Sequence, residues 1–233
     1  MTGPTDEPTG LRGDADMYTK PVLMIYDPIA LGMVCPVAWR CSRRTMLSFY
    51  NDSVRGHHLD IGPGSGFFLD KCRFPAGKPR VTLLDLNELV LRTAARRVAR
   101  YAPRTVVRDV LGELDLGDEK FESIALQNVL HCLPGTMKQK GVVFDNIRPL
   151  LADGGVLFGC TVLGKDIRLP AHGRWMMEKY NQAGSFRNTE DSLEELTSQL
   201  SARFRRYSVR TRGAVAFLSR IHIYDPTRHV IIY

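Results

Sequence analysis

The chain has 233 residues, of which 44% are apolar and 24% charged; this excludes a disordered chain and a disulfide-stapled miniature fold. The length suits one full core with appended segments rather than two ordinary domains. Lys and Arg number 32 against 25 Asp and Glu, a net charge of +7, so a nucleic-acid partner must be weighed against where the cations fall.

Residues 1–16 are polar and rich in Thr, Gly and Pro, with no basic stretch leading into an apolar one. They read as a flexible leader and not as a secretory signal. No apolar run reaches the roughly 18–20 residues of a membrane span. The five cysteines (Cys35, Cys41, Cys72, Cys132, Cys160) form no CxxC pair. They are expected to be reduced thiols of a cytoplasmic protein, and no metal site is expected. Residues 17–55 mix aromatic and aliphatic side chains with Pro21, Pro28 and Pro36, which predicts two or three short helices forming an N-terminal cap.

From His57 the pattern changes. His57–Ile61 reads as a strand, Gly62-Pro63-Gly64-Ser65-Gly66 as a loop, and Phe67-Phe68-Leu69 as the start of a helix. Arg80–Leu84 is a second strand. Glu88–Tyr101 is a helix with Leu89, Leu91, Ala94, Ala95 and Val98 facing inward. Strands follow at Thr105–Val107 and Phe121–Gln127. Thr136–Leu150 reads as a helix with Val142, Val143, Ile147 and Leu150 on its apolar face, and Val156–Val162 as the fifth strand. Residues 164–190 interrupt the alternation as a lid insertion. A helix at Ser192–Leu200, capped by Asn188–Asp191, then precedes strands at Arg205–Arg210 and Ala214–Ser219, with residues 221–233 as a tail. Strands alternating with helices predict a doubly wound α/β sheet, in which ligands bind outside the carboxyl ends of the strands.

Chemistry concentrates in Asp60-Ile61-Gly62-Pro63-Gly64-Ser65-Gly66. A glycine loop between strand and helix lets a ligand approach the backbone closely. The dinucleotide fingerprint would require glycine where Phe67 stands. Asp60 before the loop would repel a phosphate and suits a cationic ligand. Asp85 ends the second strand and Asp109 follows the third, so all three acids are expected along one edge of the sheet. An acid at the end of the second strand can accept both hydroxyls of a ribose, and one after the third can accept from an exocyclic amine.

This set, with Asp109-Val110, Phe121–Leu133 and Leu150–Gly155, resembles the class I S-adenosylmethionine (SAM)-dependent methyltransferases over about residues 56–220. The resemblance implies a seven-stranded sheet of order 3-2-1-4-5-7-6 with strand seven antiparallel. It implies SAM as cofactor and S-adenosyl-L-homocysteine (SAH) as product. It places Gly62, Gly64 and Gly66 beside the methionine part, Asp60 at its amino group, Asp85 and Leu86 at the ribose, Asp109 and Val110 at adenine, and Gln127 and Asn128 beside the methyl group.

The Asn-Pro-Pro-Tyr motif of exocyclic-amine methylation is absent after the fourth strand. His131 stands there either as a general base for a hydroxyl or as a packing residue. Tyr18, Tyr26, Trp39 and Arg40 are candidates for a roof over the substrate. Trp175, Met176 and Tyr180 are candidates for an acceptor pocket in the insertion, with Gly173 and Gly184 as hinges; core packing is the alternative for each. Arg92, Arg96, Arg97 and Arg100 are expected on the solvated face of a helix, which weakens the nucleic-acid reading. The chain therefore reads as a methyltransferase for a small, partly apolar metabolite of natural-product biosynthesis, monomeric or homodimeric. The competing readings are an RNA or protein methyltransferase and a repurposed SAM-binding scaffold.

Overall fold

The computed structural model describes residues 27–75 and 77–220. The expected leader, Tyr18, Tyr26 and the C-terminal tail lie outside them. A π-helical segment, Asp27–Val34, runs into α1 (Cys35–Val37), with Pro36 tolerated in its first turn where no amide donor is needed. Ser42 then caps α2 (Arg43–Ser53), its hydroxyl accepting from the Thr45 amide at 3.2 Å.

The sheet follows as β1 (His57–Ile61), β2 (Arg80–Asp85), β3 (Arg104–Val107), β4 (Phe121–Gln127), β5 (Leu151–Val162), β6 (Ser208–Arg212) and β7 (Val215–Arg220). Its order is β3-β2-β1-β4-β5-β7-β6, with β7 antiparallel to both neighbours, as the resemblance implied. The helices between are α3 (Phe67–Lys71), α4 (Glu88–Arg97), α5 (Met137–Lys140), α6 (Val142–Ile147), α7 (Ala171–Gln182) and α8 (Leu193–Ser201).

Both faces of the sheet are apolar, and adjacent residues serve opposite faces. Leu83, Phe158 and Phe217 join α2, α3 and α4 in one core. Leu84, Leu157 and Leu218 join α5, α6 and α8 in the other. This period of two is the pleat of a strand covered on both sides.

Several expected boundaries move. The helix expected over Thr136–Leu150 is divided at Gly141, which keeps helical angles, and ends in a 3-10 turn at Arg148–Leu150; a side chain on Gly141 would strike Gln199 of α8. Val142 is exposed, and Phe144 is buried in the core instead. β5 begins at Leu151, not Val156; Gly154, with φ of 77°, carries a register shift against Phe121–Ser123. α4 ends at Arg97, followed by a 3-10 turn. Ser192 alone caps α8, its hydroxyl accepting from Glu195 at 3.1 Å, because Asn188 and Asp191 are turned inward. β6 starts three residues later than expected, leaving Arg205 and Arg206 exposed.

Candidate functional site

Parallel pairing brings the carboxyl ends of β1, β2 and β4 level. Asp60 lies opposite Leu83 on one side and Ala125 on the other, and Asp85 lies opposite Val107 of β3. A cleft opens beyond these ends. It is lined by Gly62, Gly64, Asp85, Leu86, Asp109, Val110, Gln127 and Asn128, the expected residues, together with Leu31, Phe67, Leu111, Cys132 and Leu133.

The glycines have different work. Gly62 and Gly64 carry φ of 65° and 55°, a region that favours glycine, and no atom lies within 4 Å of where a side chain on Gly64 would begin. The loop is therefore open to a ligand there. Gly66 does not line the cleft; its Cα faces α4, where an added Cβ would stand 3.1 Å from the Ala94 Cα. Arg97 supports the loop from α4 by donating to the Ser65 carbonyl at 3.3 Å, and it also reaches Asp70 at 3.3 Å. Arg97 and Arg43 approach the Phe67 ring at 5.5 and 5.7 Å. Arg97 thus belongs to the site's scaffold and not to a plain solvated face.

Asp85 accepts from the Asn87 amide at 2.8 Å. Burial pushes its carboxyl up to about 6, despite backbone hydrogen bonds that favour the ionised form. Asp109 accepts from Leu111 N at 2.9 Å. Asp60 is buried under the loop and does not border the cleft directly. Its Oδ2 accepts from the Tyr50 hydroxyl at 2.8 Å, and its Oδ1 has no partner. Burial raises it to about 7, opposed by the Tyr50 hydrogen bond and reinforced by the charge of Asp85.

Gln127 is buried at the end of β4 with neither oxygen nor nitrogen of its amide partnered. An unpaired buried amide costs free energy, so a polar ligand in the cleft would relieve it. Asn128 adopts φ of 61°; its Oδ1 accepts from the Cys160 thiol at 3.2 Å. Orphaned acceptors under a glycine loop, a carboxylate at the end of β2 and a second after β3 fit the ammonium, ribose and adenine of SAM.

The acceptor side differs from expectation. His131 is 3% exposed and absent from the cleft wall. Its Nδ1 accepts from the Val162 amide at 3.3 Å, which puts the ring proton on Nε2. Burial and then the Lys140 charge lower its pKa to about 3. A ring so arranged has no free lone pair with which to take a proton, and the geometry supports the packing alternative.

Trp39 is buried against Tyr180 and Phe186, with ring centroids 6.3 and 5.8 Å away, and Phe186 meets His131 at 4.3 Å. Met176 packs on the same core. Trp175 is 57% exposed and Arg40 is also exposed. None of the candidates Trp39, Arg40, Trp175, Met176 and Tyr180 borders the cleft. Gly173 is a contact residue, since a side chain there would meet the Ala38 carbonyl at 2.8 Å. Sequence reasoning missed Tyr50 of α2, which hydrogen-bonds Asp60 directly, and His58 of β1 and Ser123 of β4, which follow it in a chain from Tyr50 to His58 to Ser123; two histidines in an apolar strand were the available signal. Among the described residues no helix is long and apolar enough to cross a membrane.

The family model described as "Methyltransferase domain" matches residues 59–157. Demethylluteothin O-methyltransferase of Streptomyces thioluteus is 38% identical over 198 residues, covering 85% of this chain and 86% of its own. The physcion biosynthesis cluster O-methyltransferase of Aspergillus chevalieri is 35% identical over 206 residues, covering 88% and 92%. Among solved structures, the N-methyltransferase NodS from Bradyrhizobium japonicum in complex with SAH superposes with a TM-score of 0.53 at 21% identity, over 77% of this chain and 84% of that one. A DhpI–SAH complex gives a TM-score of 0.57 at 20% identity, over 85% and 90%. The sheet order agrees with the fold of these neighbours, and the chain belongs to the class I SAM-dependent methyltransferases.

Proposed function

We propose that the chain methylates a hydroxyl of a small, partly apolar metabolite in natural-product biosynthesis. The observation that carries this is the likeness, over more than four-fifths of each chain, to two enzymes named as O-methyltransferases, one of demethylluteothin and one of a physcion biosynthesis cluster. That likeness runs over 198 and 206 residues, about twice the length of the family-model match to residues 59–157.

SAM supplies a methyl group already activated on a sulfonium. The protein's tasks are then to orient both partners and to exclude water. In this reading Asp85 accepts from the ribose hydroxyls beside Leu86. Asp109 and Val110 address the adenine edge, Gly62 and Gly64 admit the amino-acid end, and Asp60 answers its ammonium. Gln127 and Asn128 stand nearest the transferred group. A phenol or enol acidic enough to ionise in water needs no protein base, which suits a site where His131 is turned inward. Leu31 of the cap borders the cleft where the acceptor would lie, and the free cysteines suit a cytoplasmic setting.

The test is incubation with SAM and a panel of small phenols and enols, following SAH release and a product heavier by one methyl. Turnover with such compounds and none with RNA or protein is the expected result. SAH release only with a macromolecule would overturn the assignment.

A further inference from the structure

A buried line of polar groups runs away from the cleft beneath the glycine loop. The Arg55 amide donates to Ser123 Oγ at 2.9 Å. Ser123 Oγ lies 2.8 Å from His58 Nδ1, His58 Nε2 lies 2.8 Å from the Tyr50 hydroxyl, and that hydroxyl lies 2.8 Å from Asp60 Oδ2. All four side chains are at least nine-tenths buried. Burial lowers the pKa of His58 to about 3, so its ring is neutral and has one donor and one acceptor.

A neutral imidazole between two hydroxyls permits two directions. With Asp60 ionised, Ser123 donates to Nδ1, Nε2–H donates to Tyr50, and Tyr50 donates to the carboxylate. With Asp60 protonated by a proton from water, its Oδ2–H donates to Tyr50, Tyr50 donates to Nε2, and Nδ1–H donates to Ser123. The second arrangement holds one more proton and the opposite tautomer. Only the first aims every donor toward a carboxylate whose other oxygen, Oδ1, stands unpartnered.

We propose that Tyr50, His58 and Ser123 are positioning residues for cofactor binding: a cation arriving at the glycine loop locks their relay in the direction that serves ionised Asp60. This rests on Asp60 answering the ammonium of SAM. Burial opposes that ionisation, and the groups facing the carboxylate divide. Tyr50 from α2 favours the charge. Asp85 at the end of β2 disfavours it. The Cys72 thiol beyond α3, itself pushed up to about 12 by burial and then by Asp60, stays neutral. His58 on β1 acts through Tyr50.

The experiment is SAH titration calorimetry on wild type, Tyr50→Phe and Asp60→Asn at pH 7.0 and pH 8.5, each compared with wild type at the same pH. Loss of the Tyr50 donor raises the Asp60 pKa by about one unit. Tyr50→Phe should therefore bind SAH roughly five-fold more weakly at pH 7.0 and within about two-fold at pH 8.5. No loss, or an equal loss at both pH values, overturns the relay. Asp60→Asn should bind more weakly at both values without recovery. If it binds as wild type does, the Asp60 assignment fails and the relay with it; if it weakens while Tyr50→Phe does not, the relay alone fails. Should Tyr50→Phe not fold, nitrogen-15 NMR of the wild-type SAH complex decides. A proton on Nε2 of His58 is the expected result, and a proton on Nδ1 overturns the proposal.

Discussion

Single residues in the loop separate fold from ligand. Gly66→Ala would force a Cβ toward Ala94 in a backbone with φ of 76°. It should lower stability by about 2–3 kcal/mol in denaturant titration, adding a steric contact to the left-handed penalty of about 1–2 kcal/mol. Gly64→Ala meets no atom, so it should lose only that penalty while SAH affinity falls, because the new methyl occupies the open side. Asp85→Ala should weaken SAH binding by about 10–100-fold through the lost charge-assisted hydrogen bonds, with no loss of Tm. A variant that keeps wild-type affinity would remove Asp85 from the ribose. His131→Gln should leave the pH dependence of turnover unchanged, since the ring holds no titrating lone pair toward the cleft. An altered profile would return the base role to it.

Among the elements, the return of the insertion is held by an ion pair. Lys140 of α5 donates to Asp191 at 2.6 Å and to the Arg187 carbonyl at 2.7 Å, and the two charged side chains are 0% and 1% exposed. Removing one partner strands the other charge, so Lys140→Met should cost about 3–5 kcal/mol in denaturant unfolding. Lys140→Met with Asp191→Leu should recover most of that loss; a double variant as unstable as the single one would show that the pair's charges are not what matters. This pair marks the limit of reading elements from sequence. The order of the whole sheet came from the family resemblance, whereas β1 and β4 were legible because strand periodicity and turn glycines are local signals. The Gly62–Gly66 loop and the acids at 85 and 109 were legible for the same reason. The approach of Gly141 to Gln199, the inward turn of Asp191 onto Lys140 and the pairing of His58 with Ser123 were not, since each depends on a residue more than 40 positions away. For Trp39 and Tyr180 the pocket and core readings both stood open, because an aromatic in a core and one in a pocket look alike until packing is known.

For the molecule as a whole, four groups with large shifts contribute opposing slopes to the response to pH. The carboxyls of Asp60 and Asp85 are raised, so the stability they contribute is full below their ordinary value of 3.8 and is lost as pH rises through about 6 to 7. The imidazoles of His58 and His131 are lowered, so theirs is full above 6.5 and is lost as pH falls toward about 3. Between pH 4 and pH 6 the two slopes oppose, and the ligand-free chain should show a nearly flat Tm from these groups. On the proposed reading, SAH binds with both carboxyls ionised. The rise in Tm on adding SAH should therefore shrink as pH falls from 8 to 6; an increment independent of pH would contradict the roles of both acids.

The contact between the cap and the last hairpin has a consequence for a chain still being made. The Ala214 amide donates to the Trp39 carbonyl at 2.9 Å, Gly213 leaves no room for a side chain against it, and Phe49 meets Phe217 at 5.2 Å. At synthesis rates of about 5–20 residues per second, Phe49 waits roughly 10–30 s for Phe217 to leave the ribosome. The earliest described segment is thus among the last to become native, and its aromatics stay uncovered until then. Nascent chains stalled before β7 should be captured through α2, long after β1 and β2 have paired.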